Sequence, residues 1–139
     1  MDIDIKTLIP QRYPMMMVDK LESADGDTCT TSLEIRKDNY FIILDGEMSE
    51  TGLIEHIAQS SSALAGYQAL TAEVKDPPIG LIGEVKRFTC HRRPRVGEKL
   101  VTTINFGLSF GEVTLADGET RVGDEVIAEA KLKIFIQPS

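Results

Sequence analysis

Tryptophan is absent from the chain, and histidine and cysteine occur only twice each. His56, His91, Cys29 and Cys90 show no ligand spacing, so they make neither a zinc set nor a disulfide framework, and no metal or cofactor is expected. No apolar run approaches the roughly 18 residues of a membrane span, and the start of the chain lacks the basic-then-apolar layout of a signal peptide. Free thiols in a reducing cytoplasm, away from any membrane, are therefore expected. Positive charge is in deficit: 15 Lys and Arg stand against 22 Asp and Glu, a formal net charge of −7, which argues against general nucleic-acid binding but leaves room for a local basic patch. No repeat, linker or low-complexity tract divides the sequence. With 42% hydrophobic and 27% charged residues, both near globular averages, the 139 residues are read as one folded domain, 1–139.

The apolar period changes twice along the chain. From Thr28 to Arg36, Cys29, Thr31, Leu33 and Ile35 alternate with Thr30, Ser32, Glu34 and Arg36, a period of two that predicts a half-buried strand after the "ADGD" turn. "MMMVD" at 15–19 is a shorter candidate strand, its methionines read as adaptable core packing rather than a soft ligand site. From Ser49 to Leu70 the spacing becomes helical. Ser49 is placed to cap the helix, Glu50 suits its first turn, and Leu53, Ile54, Ile57, Ser61, Leu64, Ala65 and Gln68 recur three and four apart. Beyond the first turn Glu55 and His56 are the only ionisable side chains before Tyr67. A helix with so little charge needs cover on most sides. "KDPPIG" stops it, and "IGLIGEVKRFTCH", "EKLVTTINFGLSF", "EVTLADGETRV" and "EVIAEAKLKIFI" follow as four predicted strands joined by glycine-bearing turns. In the last, Val126, Ala128, Ala130, Leu132, Ile134 and Ile136 oppose Glu129, Lys131 and Lys133. The predicted class is α+β, one long helix on one face of an antiparallel sheet of five to seven strands.

In this order "LIPQRYPMMMVDKL" at 8–21, "GLIEHIAQ" at 52–59, "RFTCHRRPRVGEKL" at 87–100 and "VGDEVIAEAKL" at 122–132 resemble the hotdog-fold β-hydroxyacyl-(acyl carrier protein) dehydratases, with most likeness to the divergent aryl polyene and flexirubin branch. The resemblance spans nearly the whole chain. It implies a sheet wrapped round a central helix, protomers paired side by side with sites at their interface, and dehydration of 3-hydroxyacyl thioesters on an acyl carrier protein to 2-enoyl thioesters. Such a reaction requires a base for the α-proton, an acid for the leaving hydroxyl and donors for the enolate oxygen.

By the resemblance, Glu55 falls where the family's helix carboxylate sits, with Gln59 one turn on along the same face and Gly52 in the first turn, where free backbone N–H groups suit a thioester carbonyl. The family's loop histidine is missing. "NYFIILDGEMSE" at 39–50 stands in its place, with Tyr40 and Phe41 near the position. His56 is a candidate substitute. Adjacent helical residues point about 100° apart, so Glu55 and His56 act together only across a dimer axis or through Gln59. The alternative is a histidine packed in the core and bonded to a backbone carbonyl, while His91 reads as a surface histidine.

Lys86, Arg87, Arg92, Arg93 and Arg95 place five of the chain's 15 basic residues within ten positions. They suit either a solvated strand edge or a dock for an acidic carrier and its phosphopantetheine arm. Two readings stand beside the dehydratase: a hotdog thioesterase, which uses a helix acid to activate water, and a subunit that completes a heterodimer with an active dehydratase.

Overall fold

The stretch after Ser49 folds as helix α1, Glu50–Thr71, in a computed structural model that describes residues 1–73 and 79–137. Ser49 is extended, and its side chain accepts the Gly52 N–H at 3.3 Å, closing one of the helix's open donors. Glu50 adds a negative charge to the positive end of the helix dipole. From His56 to Gly66 every residue is buried, so this part of the helix has no wet face and needs none of the charges its sequence omits. Its serines are satisfied locally: Ser60 and Ser61 donate to the carbonyls of His56 and Ile57 at 2.7 and 3.0 Å. Among the described residues no helix is long and apolar enough to cross a membrane.

Six strands surround α1: β1 Lys20–Asp25, β2 Thr28–Glu34, β3 Ile79–Cys90, β4 Lys99–Phe110, β5 Val113–Val122 and β6 Glu125–Gln137. They form one sheet in the order β1-β2-β4-β5-β6-β3, antiparallel at every pairing. Hairpin turns fall at Gly26, Gly111 and Gly123, whose φ values of 59°, 62° and 58° are in the left-handed region that glycine adopts without strain. The inward row of β2 is the expected one: Cys29, Thr31 and Leu33 are buried, and so is Ile35 just beyond it. Burial pushes the Cys29 thiol up to about 12, which keeps it protonated, and both cysteines are free. In β6, Ala128, Ala130, Leu132 and Ile134 turn inward while Glu129, Lys131 and Lys133 turn out. Ile127 is buried as well, beside a register shift between Thr120 and Arg121 on β5. The "KDPPIG" stop lies mostly outside the described residues.

One expected strand does not form. Met15–Asp19 is irregular, and the first strand starts at Lys20. The backbone groups a ladder would need are taken by side chains of α1. Met17 N–H donates to Gln59 Oε1 at 2.6 Å, and the Met15 carbonyl accepts from Gln59 Nε2 at 2.7 Å. The Met17 carbonyl lies 2.7 Å from His56 Nδ1. Met17 is fully buried, in line with the packing role read for the methionines.

His56 ties this segment to the sheet. A carbonyl only accepts, so Nδ1 carries the hydrogen given to Met17, and Nε2 is the bare nitrogen that accepts from Thr102 Oγ1 at 2.7 Å. With its hydrogen so used, Thr102 Oγ1 accepts in turn from Thr120 Oγ1 at 2.7 Å. The ring is fully buried, and desolvation lowers its pKa to about 4, against the weaker raising effects of the Met17 carbonyl and Asp19. The chain also passes close over the helix: a Cβ on Gly66 would stand 2.5 Å from the backbone oxygen of Leu8.

Two stability predictions follow from these contacts. Gly66→Ala forces backbone from backbone and should destabilise by about 1–3 kcal/mol, read as a lower denaturant midpoint. For His56 the unfolded chain takes up its proton near the ordinary 6.5, the folded chain only near 4. Its contribution is therefore complete above about pH 6.5 and is lost as pH falls towards 4, about 3 kcal/mol in all. Denaturation of wild type and His56→Gln across this window should show the wild type losing that much more stability; parallel curves would count against a buried neutral imidazole.

Candidate active site

Glu55 lies on the partly open side of α1, one turn from the buried Gln59. Gln59 Nε2 donates to Glu55 Oε2 at 2.8 Å, while the rest of the amide is taken up by Met15 and Met17. The carboxylate is thus aimed by a side chain that is itself fixed at both ends. Glu55 Oε1 has no hydrogen-bond partner among the described residues. Gln59 bonds Glu55 but not His56; Gln59 and His56 share the backbone of Met17 instead, one at its N–H and the other at its carbonyl.

The loop before the helix forms the adjoining wall. Phe41 donates its N–H to Asn39 Oδ1 at 2.9 Å and accepts from Ser49 N at 2.9 Å, which places its side chain against the first turn of α1. A Cβ on Gly52 would stand 2.6 Å from Phe41 Cβ and 2.9 Å from Met48 Cγ, so this close approach depends on glycine. The Gly52 N–H is engaged by Ser49, through both its carbonyl at 3.0 Å and its hydroxyl. Tyr40 is 63% exposed and meets Phe41 edge-on, with ring centroids 5.2 Å apart. Leu44, at the tip of the loop, is 89% exposed.

The basic residues divide into two groups. Arg92 makes a two-pronged contact with Glu98 at 2.9 Å and reaches Glu125 at 3.1 Å; the Glu98 carboxyl is held below its usual range chiefly by that Arg92 hydrogen bond. Arg95 meets Glu47 at 3.0 Å and the Asp45 carbonyl at 2.9 Å, and Arg93 lies 3.6 Å from Glu50. Arg93 and Arg95 fasten the β3–β4 connection to the loop and first turn that carry Phe41 and Ser49, while Arg92 ties that connection to the start of β6. Lys86 and Arg87, on β3, have no ion-pair partner among the described residues.

His91 Nε2 lies 3.1 Å from Glu129 Oε2, and both side chains are about half exposed. Glu129 projects from the outer face of β6, opposite the inward row that meets the helix. It lines an outer groove of about 500 Å³ together with Arg87, Thr89, Glu119 and Arg121. His91 and Glu55 are thus on opposite sides of the sheet. Among the described residues, no group of three His, Cys, Asp or Glu side chains could hold a metal ion.

Sequence reasoning reached Glu55 and Gln59 but missed the residues that set them. Thr102 and Thr120, which complete the His56 chain, occupy inward positions of their strands. A hydroxyl at an inward phase was the available signal, because a buried donor needs a partner. The backbone of Met17 gave none, since backbone groups leave no trace in side-chain patterning.

Comparison with known proteins places this arrangement. Two curated relatives named 3-hydroxyacyl-(acyl-carrier-protein) dehydratase FabZ align over most of their length. The one from Natranaerobius thermophilus is 27% identical over 132 residues, 93% of this chain and 92% of that protein. The one from Chlamydia muridarum is 25% identical over 145 residues, 96% and 90%. Among solved structures, the dehydratase heterocomplex ApeI:P from Xenorhabdus doucetiae matches with a TM-score of 0.91 at 17% identity, covering 100% of this chain and 93% of that one. A hypothetical thioesterase with coenzyme A from Streptococcus pneumoniae matches at 0.68 and 10% identity, covering 86% and 88%. Both likenesses are of fold, and the fold is the hotdog. A family model described as ApeP dehydratase matches residues 3–139, and the chain belongs to the ApeP-like dehydratase family.

Proposed function

We propose that the protein removes water from 3-hydroxyacyl thioesters carried on acyl carrier protein, giving 2-enoyl thioesters, with Glu55 as the carboxyl that exchanges a proton with substrate. The observation that carries this reading is the Gln59-aimed Glu55 on the open side of an otherwise buried helix, in a chain that a dehydratase family model covers from residue 3 to 139. The FabZ relatives support the carrier-bound substrate. Full-length likeness to one chain of a dehydratase heterocomplex supports a hotdog dimer, with a like or unlike subunit. Tyr40 and Phe41 flank the acyl thioester at the first turn, where Gly52 lets the loop approach. Polyene-type chains made in the cytoplasm are the finer assignment, in line with the sequence motifs and two free thiols.

His56 acts here by position. Its ring fixes the segment that Gln59 grips, and Gln59 fixes the carboxylate. Carrier docking falls to Lys86 and Arg87, because Arg93 and Arg95 are occupied in holding the loop and Arg92 is taken by Glu98 and Glu125. A protein of net charge −7 meets an acidic carrier productively only where such local cations are free.

Two outcomes test this. In the assembly captured from native cells through a tag on this chain, mass spectrometry should find enoyl thioester; Glu55→Gln should lower its rate at least about 100-fold with an unchanged melting temperature. Release of free acid, or a retained rate, would replace the reading with thioester hydrolysis or a structural carboxylate. Reversing charge at Lys86 and Arg87 to Glu should weaken carrier binding about tenfold at low salt and less at high salt, without loss of stability. Arg92→Glu should instead lower the melting temperature. A Lys86/Arg87 variant that binds carrier as tightly as wild type at both salt concentrations would exclude this dock.

A further inference from the structure

The outer face of the sheet, away from α1, has an apolar end that chemistry at Glu55 does not use. Phe110 on β4, Val113 on β5 and Phe135 on β6 are directly opposite one another in the ladder, so their side chains share one face. Phe135 follows the buried Ile134, which puts that face outside. Ser109 turns inward, its hydroxyl 3.0 Å from that of the buried Thr114, and Leu108 and Phe110 on either side of it turn out. Leu108, Phe110 and Phe135 are 67%, 66% and 40% exposed. A Cβ on Gly83 would run into the Phe135 ring, so the ring keeps its place on the surface only beside a glycine. Contiguous exposed side chains of this size mark a binding surface.

The outer groove adjoins this end and holds one unmatched charge. Lys131 is directly opposite Arg87, a like-charge pair that is destabilising with no anion between its members. Lys131 has Asp117 at 3.5 Å, whereas Arg87 has no ion-pair partner among the described residues. The next rung sets Glu119 opposite Glu129, but each has its own basic neighbour, Arg121 at 2.7 Å and His91 at 3.1 Å. Among the charged residues that line the groove, Arg87 alone is left for a ligand.

We infer that the outer face binds a long-chain carboxylate, its head on Arg87 in the groove and its chain laid over Leu115 and the stem of Lys133 onto Val113, Phe135 and Phe110. A guanidinium offers a carboxylate two parallel N–H···O bonds, a match of planar fork to planar anion. Leu115 is opposite Lys133 on the rung between groove and apolar end, and a lysine stem covers apolar surface while its ammonium reaches water. Lys131 and Phe135 are four residues apart on β6, about 13 Å along a strand, a distance that a dodecyl chain spans. One cation at one end of an apolar strip fits a ligand of one negative charge. An anionic membrane is disfavoured by the net charge of −7 and by Glu112 beside the exposed Phe110. Arg87 also belongs to the carrier dock proposed above, so acid and carrier compete for it. The binding test contains no carrier, and its failure leaves both that dock and the dehydratase reading standing.

The test is an NMR titration of the isotopically labelled full chain. Dodecanoate below its micelle concentration should shift the amides of Arg87, Lys131, Val113 and Phe135 and leave those of Glu55 and Gln59 in place. Affinity should rise about two- to fourfold per methylene from octanoate to dodecanoate. Octanol should bind at least about fivefold more weakly than octanoate, and Arg87→Gln should abolish that difference. Leu108→Ser combined with Phe110→Ser, both at exposed positions, should abolish the dependence on chain length at an unchanged melting temperature. Shifts centred on Glu55, affinity indifferent to Arg87, or no shift at all overturns the inference. So does tighter binding of octyl phosphate than of octanoate. Self-association of the chain, or its capture by phosphatidylcholine vesicles, that the Leu108/Phe110 variant abolishes would give the apolar end to another occupant and overturn it as well.

Discussion

One residue, Met17, is held through both of its backbone polar groups by a single turn of α1. Its N–H goes to Gln59 and its carbonyl to His56, at 2.6 and 2.7 Å. Both partners are buried and neutral, so neither bond is in exchange with water and each would be expensive to leave unmade. The grip sets the rotation of the helix about its axis, because residues three apart must meet the backbone of one residue together. It also sets the path of residues 15–19, which accounts for an irregular segment where alternation alone suggested a strand. From the same turn the His56 bond runs on to Thr102 and Thr120, so helix, amino-terminal segment and two central strands share one hydrogen-bonded line.

The acidic balance of the chain has a local counterpart. Arg92, Arg93 and Arg95 sit among Glu47, Glu50, Glu98 and Glu125, and most of their charge is used within the protein. Ion pairs this exposed contribute little each, but Arg95 also bonds the Glu47 carboxylate and the Asp45 carbonyl in fixed geometry, and with Arg93 it joins two loops that no ladder joins along their whole length. The isolated bridge between Glu47 and Arg95 and the Met48-to-Pro94 hydrogen bond at 2.9 Å complete that junction. A cluster of like charge in sequence becomes a seam of opposite charges in space.

Much of the fold was legible because it rests on periodicity. The cap at Ser49, the uncharged helix, the inward row Cys29, Thr31, Leu33 and the alternation of the last strand are all side-chain patterns. What was not legible depends on groups that patterning does not register. The strand expected over Met15–Asp19 was lost to backbone capture by Gln59 and His56. The Lys20–Asp25 strand was missed because its polar side chains mask the pairing with Thr28–Glu34. The adjacency of Glu55 and His56 in sequence suggested partnership, yet the 100° step between them sends one to the lip and the other into the core.

Between Gly52 and Gly66, only Ile54 and Glu55 are not buried. The helix therefore offers a chemical window two residues wide, framed by positions already committed to packing or to one another. A lineage exploring new reactions on this scaffold can alter the functional group in that window, and what is brought up to it from outside, without disturbing the interior. Substitutions at the other positions between Gly52 and Gly66 are tested first by folding and only afterwards by catalysis, which confines the evolvable chemistry of that span to a single place.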